Sequence, residues 1–264
     1  MTLLFRLKKC YTKFWFNLSA SENQLFLLYY RHFYRPRKHS LDEFISNFSK
    51  KKRQVTFLQI GANDGFVYDP LHKFIKRDNW RGIMLEPQPD VYREYLVKLH
   101  RNRPEITTLN AALDHKDGYK PLYKLSISNE RWATGLSTFN KDVLLKKVED
   151  GSLLKHIKRQ RLVLPDNLPD AVVSEEVMTI SPETLLAKFG QAGFDLLAID
   201  TEGFDFEILK MLDLKRISPH IILYEEVNFD KKTASECRNY LQSYGYHCLS
   251  IKKDVLAIKE SFEK

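Results

Sequence analysis

The stretch Val55–Gly65, V-T-F-L-Q-I-G-A-N-D-G, constrains the fold more than any other part of the chain. Val55–Ile60 is apolar and β-branched enough for a buried strand. Gly61-Ala62-Asn63-Asp64-Gly65 then breaks it, and Phe66–Arg77 follows with Phe66, Val67, Leu71, Phe74 and Ile75 at roughly helical spacing. Strand, glycine turn and helix together are how a doubly wound α/β sheet presents a nucleotide site. The glycines let backbone approach a ligand, and the helix N-terminus faces it. The turn is neither G-x-G-x-x-G nor a P-loop with its Lys-Ser/Thr. A plain strand-to-helix turn therefore stays open at this point.

The next segments continue the alternation. Arg81–Glu86 reads as a second strand ending on a carboxylate, with Pro87 and Pro89 behind it. An acid ~20 residues beyond the glycine turn is where a ribose diol is hydrogen-bonded. The plainer reading of Glu86 is a charge at the N-terminus of a helix over Val91–His100. Ile106–Asn110 is a third strand, and Asn110-Ala111-Ala112 leaves room for a flat base. Tyr119–Leu125 reads as a strand after the Asp117-Gly118 turn. Ser126–Asn140 is polar and irregular, a substrate loop or a plain surface loop; Lys141–Lys158 is a helical insertion, and Arg159–Val172 a proline-punctuated connector. Glu176–Ile180 is a strand, and Ser181-Pro182 starts a helix through Phe189. Phe194–Ile199 is a buried strand ending in Asp200-Thr201-Glu202-Gly203, followed by a helix through Leu212. Ile221–Tyr224 is a strand ending in Glu225-Glu226. Lys231–Tyr244 is an amphipathic helix, and Tyr246–Ile251 with Val255–Ile258 forms a closing hairpin.

A chain of 264 residues accommodates one large α/β domain with an appendage. The appendage is residues 1–53, a basic, aromatic, helical arm; residues 54–264 form the domain, with an insertion at about 126–172. The arm holds twelve Lys/Arg and three Asp/Glu, whereas the remainder holds thirty against thirty-one. The domain is therefore near neutral, which argues against a nucleic-acid-binding surface there. In the arm, Leu3, Leu7, Tyr11, Phe14 and Leu18 repeat at three-to-four spacing with Arg6, Lys9 and Lys13 opposite, a basic amphipathic helix. Three destinations fit it: a membrane surface, a protein partner, or its own domain. Glu22–Phe33 reads as a second helix capped by Ser21, Leu41–Phe48 as a third, and Lys50–Arg53 as a solvated linker. No apolar run approaches the ~20 residues that span a bilayer, and the N-terminus lacks a secretory pattern. Cys10, Cys237 and Cys248 have neither metal nor redox spacing, which fits reduced thiols in a cytoplasmic protein.

The ordered set Q-I-G-A-N-D-G, L-E-P-Q-P, L-N-A-A-L, I-D-T-E-G-F-D and I-I-L-Y-E-E resembles the FkbM family of S-adenosylmethionine-dependent methyltransferases over about Val55 to Ile258. The resemblance implies a class I methyltransferase fold: a doubly wound, mostly parallel, seven-stranded sheet with an antiparallel C-terminal hairpin. It also implies S-adenosylmethionine as cofactor and O-methylation of a sugar, glycan or other hydroxylated metabolite. Carried onto this chain, Gly61, Ala62, Asn63, Asp64 and Gly65 line the cofactor turn, Glu86 takes the ribose hydroxyls, and Asn110 and Ala111 lie near the adenine. Asp200, Glu202 and Gly203 form the acidic motif at the end of the central strand. Gln59 departs from the wider class, whose members often carry an acid there; Asp64 or Asp200 is left to supply that carboxylate.

Methyl transfer from a sulfonium is an in-line displacement, so the protein holds the acceptor oxygen behind the methyl carbon and excludes water. A sugar hydroxyl is a poor nucleophile and gains from a base. Asp200 is expected to face the cofactor's amino group or the acceptor, with Glu202 as base or acceptor clamp. The plainer reading makes both acceptors of backbone N–H groups at the next helix. The carboxylates show no diagnostic metal spacing, so no metal is assigned. Two other classes remain open. A nicotinamide-dependent oxidoreductase shares the Glu86 logic but wants a third glycine. A non-catalytic scaffold would act through its arm.

Overall fold

The computed structural model describes residues 3–189 and 193–263. Its centre is β1 (Thr56–Ile60), buried at four of five positions as the apolar run requires. On one side it pairs in parallel with β2 (Arg81–Leu85), and β2 with β3 (Ile106–Leu109). On the other it pairs in parallel with β7 (Leu196–Ile199), and β7 with β8 (Ile221–Glu225). β10 (Asp254–Lys259) then adds antiparallel to β8, and β9 (Tyr246–Ile251) antiparallel to β10. The order β3-β2-β1-β7-β8-β10-β9 is a mostly parallel seven-stranded sheet closed by an antiparallel hairpin. Strand order reverses between β1 and β7, which opens a crevice at their carboxyl ends. Both faces of the sheet are covered. One apolar cluster contains Leu58, Ile60, Leu197 and Tyr224, the other Phe57, Trp80, Leu196 and Leu256.

A second sheet, β4-β6-β5, stands beside the first, from β4 (Ala112–Leu113), β5 (Gly118–Leu125) and β6 (Val172–Ile180). Between β5 and β6 the chain makes short helices at Arg131–Thr134, Lys141–Glu149 and Leu154–Gln160. The single insertion helix expected over Lys141–Lys158 is thus two, broken where Gly151 takes a left-handed φ of 77°. The helix expected at Phe66 starts later, as α4 (His72–Asp78). Two carboxylates delay it. Asp64 accepts from the backbone N–H groups of Phe66 and Val67, and Asp69 from those of Leu71 and His72, so residues 64–71 are capped turns.

The arm is α1 (Leu3–Ala20), α2 (Gln24–Leu28) running into a wide turn at Tyr29–Phe33, and α3 (Leu41–Lys52). Asn23, not Ser21, caps α2, accepting from the Leu25 N–H at 2.9 Å. Lys50–Lys52 are not a linker but the last turn of α3, where basic residues suit the helix C-terminus. Lys52 closes a 2.8 Å ion pair with Asp195 beside β7. Burial of Ile45 and Phe48 makes α3 part of the main core.

α1 packs through the side that carries Phe16, Ser19 and Ala20. Phe16 meets Phe66 and Tyr95, Ser19 hydrogen-bonds His72 at 3.1 Å, and Lys9 bridges to Glu130 at 2.6 Å. Behind it, Glu22 holds Lys76 and Arg103, both buried. The apolar stripe Leu7, Tyr11, Phe14 points the other way, into solvent, while Leu18 is half-buried. The side chain of Leu3 lies outside the described residues.

Candidate active site

Where β1 ends, Gly61 adopts a φ of +81°, and a Cβ there would lie 2.0 Å from the carbonyl oxygen of Asp200. Only glycine lets the two strand ends approach so closely. Three strands are sewn together here. The Gly61 and Ala62 N–H groups donate to the Leu85 carbonyl at 3.1 and 2.9 Å, and the Asp200 N–H donates to the Ile60 carbonyl at 3.0 Å. A narrow slot opens above this seam. Gly61, Asn63, Glu86, Ala111 and Asp200 line it, with Ala112, Leu122, Phe139 and Phe204 as apolar walls.

Glu86 is 2% exposed. Its carboxylate accepts from the Asn63 N–H at 2.8 Å, the Gln88 N–H at 2.9 Å and the Gln88 side-chain amide at 3.1 Å. Burial pushes it up from 4.5 to about 7, against the pull of those donors and Arg131. Its hydrogen bonds thus go to the glycine turn and to the start of the following helix, while the residue lines the slot.

Five residues expected at the cofactor lie off the slot lining. Gln59, on the face of β1 that alternation turns away from Ile60, donates to the Asp69 carboxylate at 2.7 Å. The buried carboxylate beside β1 is therefore Asp69, which was not singled out. Ala62 is buried in the core, and Gly65 sits against Leu96, Leu99 and Met84. Asp64 caps its own turn and faces Arg131 at 3.7 Å. Asn110 spans from β3 to donate to the Glu86 and Pro87 carbonyls at 2.9 and 3.0 Å, fixing the turn that carries Glu86. Gln88 also lines the slot, as do Arg131, Thr134 and Ser137 from the candidate substrate loop Ser126–Asn140. Gln88 stands within the quoted L-E-P-Q-P motif, whereas the others fall in the stretch where no pattern is legible.

At the ends of β7 and β8, carboxylate oxygens of Asp200, Glu202 and Glu225 lie within 4.8 Å of one another. Their environments differ. Asp200 opens to the slot, whereas Glu202 accepts from Lys147 at 2.8 Å and Asn228 at 3.0 Å, and the buried Glu225 pairs with Lys253. The protein packed around Asp200 pushes its carboxyl well up, and Glu225, Asp205 and Glu202 add to the shift. Since the side chain itself opens to the slot, the like charges are the sturdier cause. Neither Asp200 nor Glu202 makes a side-chain hydrogen bond to backbone at the next helix. That role falls to Asp205, which accepts from the N–H groups of Thr201 and Glu225, both at 3.1 Å.

Residues 131–139 form the outer wall of the slot. The Gln88 amide donates to the Thr134 carbonyl at 3.0 Å, Ser137 Oγ donates to Gln88 at 3.0 Å, and Thr138 Oγ1 donates to the Glu202 carbonyl at 3.2 Å. With this wall in place the slot holds about 50 Å³. Beyond it lies a cleft of about 600 Å³ between α1 and the 129–160 region, and Asn63, Arg131 and Thr134 line both spaces. Trp132 stacks on His156 in the cleft wall, with ring centroids 4.7 Å apart.

The donor set suits a nucleoside. A buried carboxylate answers a ribose diol, Ala111 and Ala112 leave an apolar berth for a base, and Asp200 lines the same slot. A nucleoside enters only if the wall moves outward.

Among curated proteins none matches the chain. Solved structures similar to it include a methyltransferase FkbM from Methylobacillus flagellatus KT, at 11% identity and a TM-score of 0.46, covering 78% of this chain. This chain spans only 44% of that one. Podospora anserina methyltransferase PaMTH1, bound to SAH, is 10% identical with a TM-score of 0.44 and covers 91% of this chain and 87% of its own. A caffeoyl-CoA O-methyltransferase described as putative, from Staphylococcus aureus, is 9% identical with a TM-score of 0.40 and covers 85% of both chains. The family model of the methyltransferase FkbM domain matches residues 59–248, most of the chain, from β1 into β9. This protein belongs to the FkbM methyltransferase family.

Proposed function

We propose that the protein transfers the methyl group of S-adenosylmethionine to a hydroxyl oxygen of a sugar, glycan or other hydroxylated metabolite. The observation that carries the reading is that Glu86 and Asp200, which follow the two strands flanking β1, line one slot at the switch point. The cofactor supplies an electrophilic methyl carbon on a sulfonium, whose sulfur keeps the electron pair of the broken bond. Glu86 accepts from the ribose hydroxyls, and Ala111 and Ala112 flank the base. Asp200, held at the mouth by the strand seam, accepts the proton that the acceptor hydroxyl loses as its oxygen bonds the methyl carbon. Its upward shift makes it a better base than an ordinary carboxylate. Glu202, bound by Lys147 and Asn228, holds the floor beneath it. The acceptor reaches the slot through the larger cleft, whose wall it shares at Asn63, Arg131 and Thr134.

A thermal-shift series tests the cofactor. S-adenosylmethionine and S-adenosylhomocysteine raise the melting temperature, as ligands of the native state do, and NAD leaves it unchanged. Stabilisation by NAD alone would overturn the reading. Incubation with labelled cofactor and a pool of hydroxylated acceptors, followed by mass spectrometry, then shows whether the label appears on oxygen.

A further inference from the structure

Seven of the sixteen large hydrophobic side chains exposed among the described residues lie in the first 33 positions. On α1 they are Leu7, Tyr11 and Phe14, spaced four and three apart; on α2 and its wide turn they are Leu25, Leu28, Tyr29 and Phe33. Leu7, Tyr11, Phe14, Leu25 and Phe33 are each between 57% and 74% exposed. The two sets join. Trp15 contacts Tyr11 and Phe14 on its own helix, at 6.0 and 6.4 Å between centroids, and Tyr29 on the next at 5.7 Å. Isolated exposed hydrophobics are ordinary, but a joined patch marks a surface that meets something. α1 leaves this stripe in solvent and instead buries Ser19 and Ala20, with Phe16 half-buried against Phe66 and Tyr95.

We infer that the outer face of α1 and α2 is a membrane-interface anchor, which seats these side chains at the acyl boundary of an anionic lipid surface. Charge selects the occupant. Residues 1–53 carry nine more basic than acidic residues; Arg6, Arg31 and Arg35 are exposed, as are Lys8 and Lys13, which border the cleft side of α1. A two-fold contact with a second copy would bring two such arms together and repel. Anionic headgroups attract them, while Tyr, Trp and Phe suit the boundary layer and long basic side chains reach up to the phosphates. Among the described residues no helix is long and apolar enough to cross a membrane, so the attachment is peripheral. The inner side of α1 contributes Lys9, Thr12 and Phe16 to the 600 Å³ cleft. Anchoring therefore sets the mouth of that cleft about one helix diameter, ~10 Å, from the lipid.

Co-sedimentation of the full chain with extruded vesicles tests this. The protein pellets with vesicles of phosphatidylcholine mixed with phosphatidylglycerol, and its partitioning falls at least tenfold on phosphatidylcholine alone or in high salt. The triple variant Leu7→Ser, Phe14→Ser, Phe33→Ser loses at least tenfold with an unchanged melting temperature. A measurement on the unaltered chain guards against misfolding of the variant: brominated acyl chains quench part of its tryptophan emission, from Trp15. Wild-type protein left in the supernatant at low salt overturns the inference, as does undiminished binding by the triple variant or absence of quenching. A wild-type dimer in sedimentation velocity that the variant loses would also overturn it and assign the face to a second copy.

Discussion

Glu86 carries a proton through much of the pH range below 7, because burial raises its value to about 7 in the folded chain. The sign follows from linkage. Between the ordinary 4.5 and 7 the native state holds a proton that the unfolded chain has lost, so stability falls as pH rises through that window, by up to about 3 kcal/mol. On the proposed function ribose hydroxyls donate to the carboxylate, so cofactor affinity is expected to move the other way. Calorimetry from pH 5.5 to 8 is expected to show affinity weakening roughly tenfold per pH unit below 7. Glu86→Gln is expected to flatten that profile and to bind ~1–3 kcal/mol more weakly at pH 8. At the acidic cluster, Asp200→Asn is expected to lower turnover roughly 10²–10⁴-fold, the scale of a lost base. Glu202→Gln instead costs mainly stability, about 1 kcal/mol, by weakening the tie to Lys147. A methylation assay run beside thermal melts separates the two. Sequence alone suggested the opposite emphasis for this pair. Both acids stand in I-D-T-E-G, but Lys147, which ties down Glu202, comes from a helix 55 residues upstream that no local pattern connects to it.

At the scale of elements, the parallel strands of the main sheet were legible because most are short apolar runs closed by a polar or glycine turn, whereas β4 and the start of β6 were not. The helix starts were less so. Phe66–Leu71 has helical spacing, yet Asp64 and Asp69 divert its backbone N–H groups into turns. The Lys50–Arg53 run looks solvated because only the folded chain brings Asp195 to Lys52. α1 is attached through one such distant group. Glu22 holds Lys76, which has no exposed surface, and Arg103, which is 8% exposed. Burial pulls Lys76 down to about 8 although Glu22 raises it. Glu22→Ala leaves two buried cations facing each other. It is expected to destabilise the protein by about 3 kcal/mol, and limited proteolysis is expected to release the first twenty residues before the domain is cut.

Over the whole molecule, the arrangement of seven strands was readable from their order and from the closing hairpin, because parallel crossovers leave few alternatives. The outer wall of the slot was not. Residues 131–139 lie in a polar stretch, and their position depends on Gln88, Asn63 and Glu202, contributed by three different crossovers. Hydrogen exchange with S-adenosylhomocysteine is expected to protect the amides of residues 61–63 and 134–138 and to leave those of α1 unchanged.

That wall has a kinetic consequence. Arg131 and Thr134 face both the slot and the cleft. On the proposed function, a nucleoside is expected to enter only while they are displaced and the acceptor to follow once they have closed. Substrates then add in a compulsory sequence, cofactor first and acceptor second, and the methylated product departs before S-adenosylhomocysteine. Product inhibition reads this directly: S-adenosylhomocysteine is expected to compete with S-adenosylmethionine and to act non-competitively toward the acceptor.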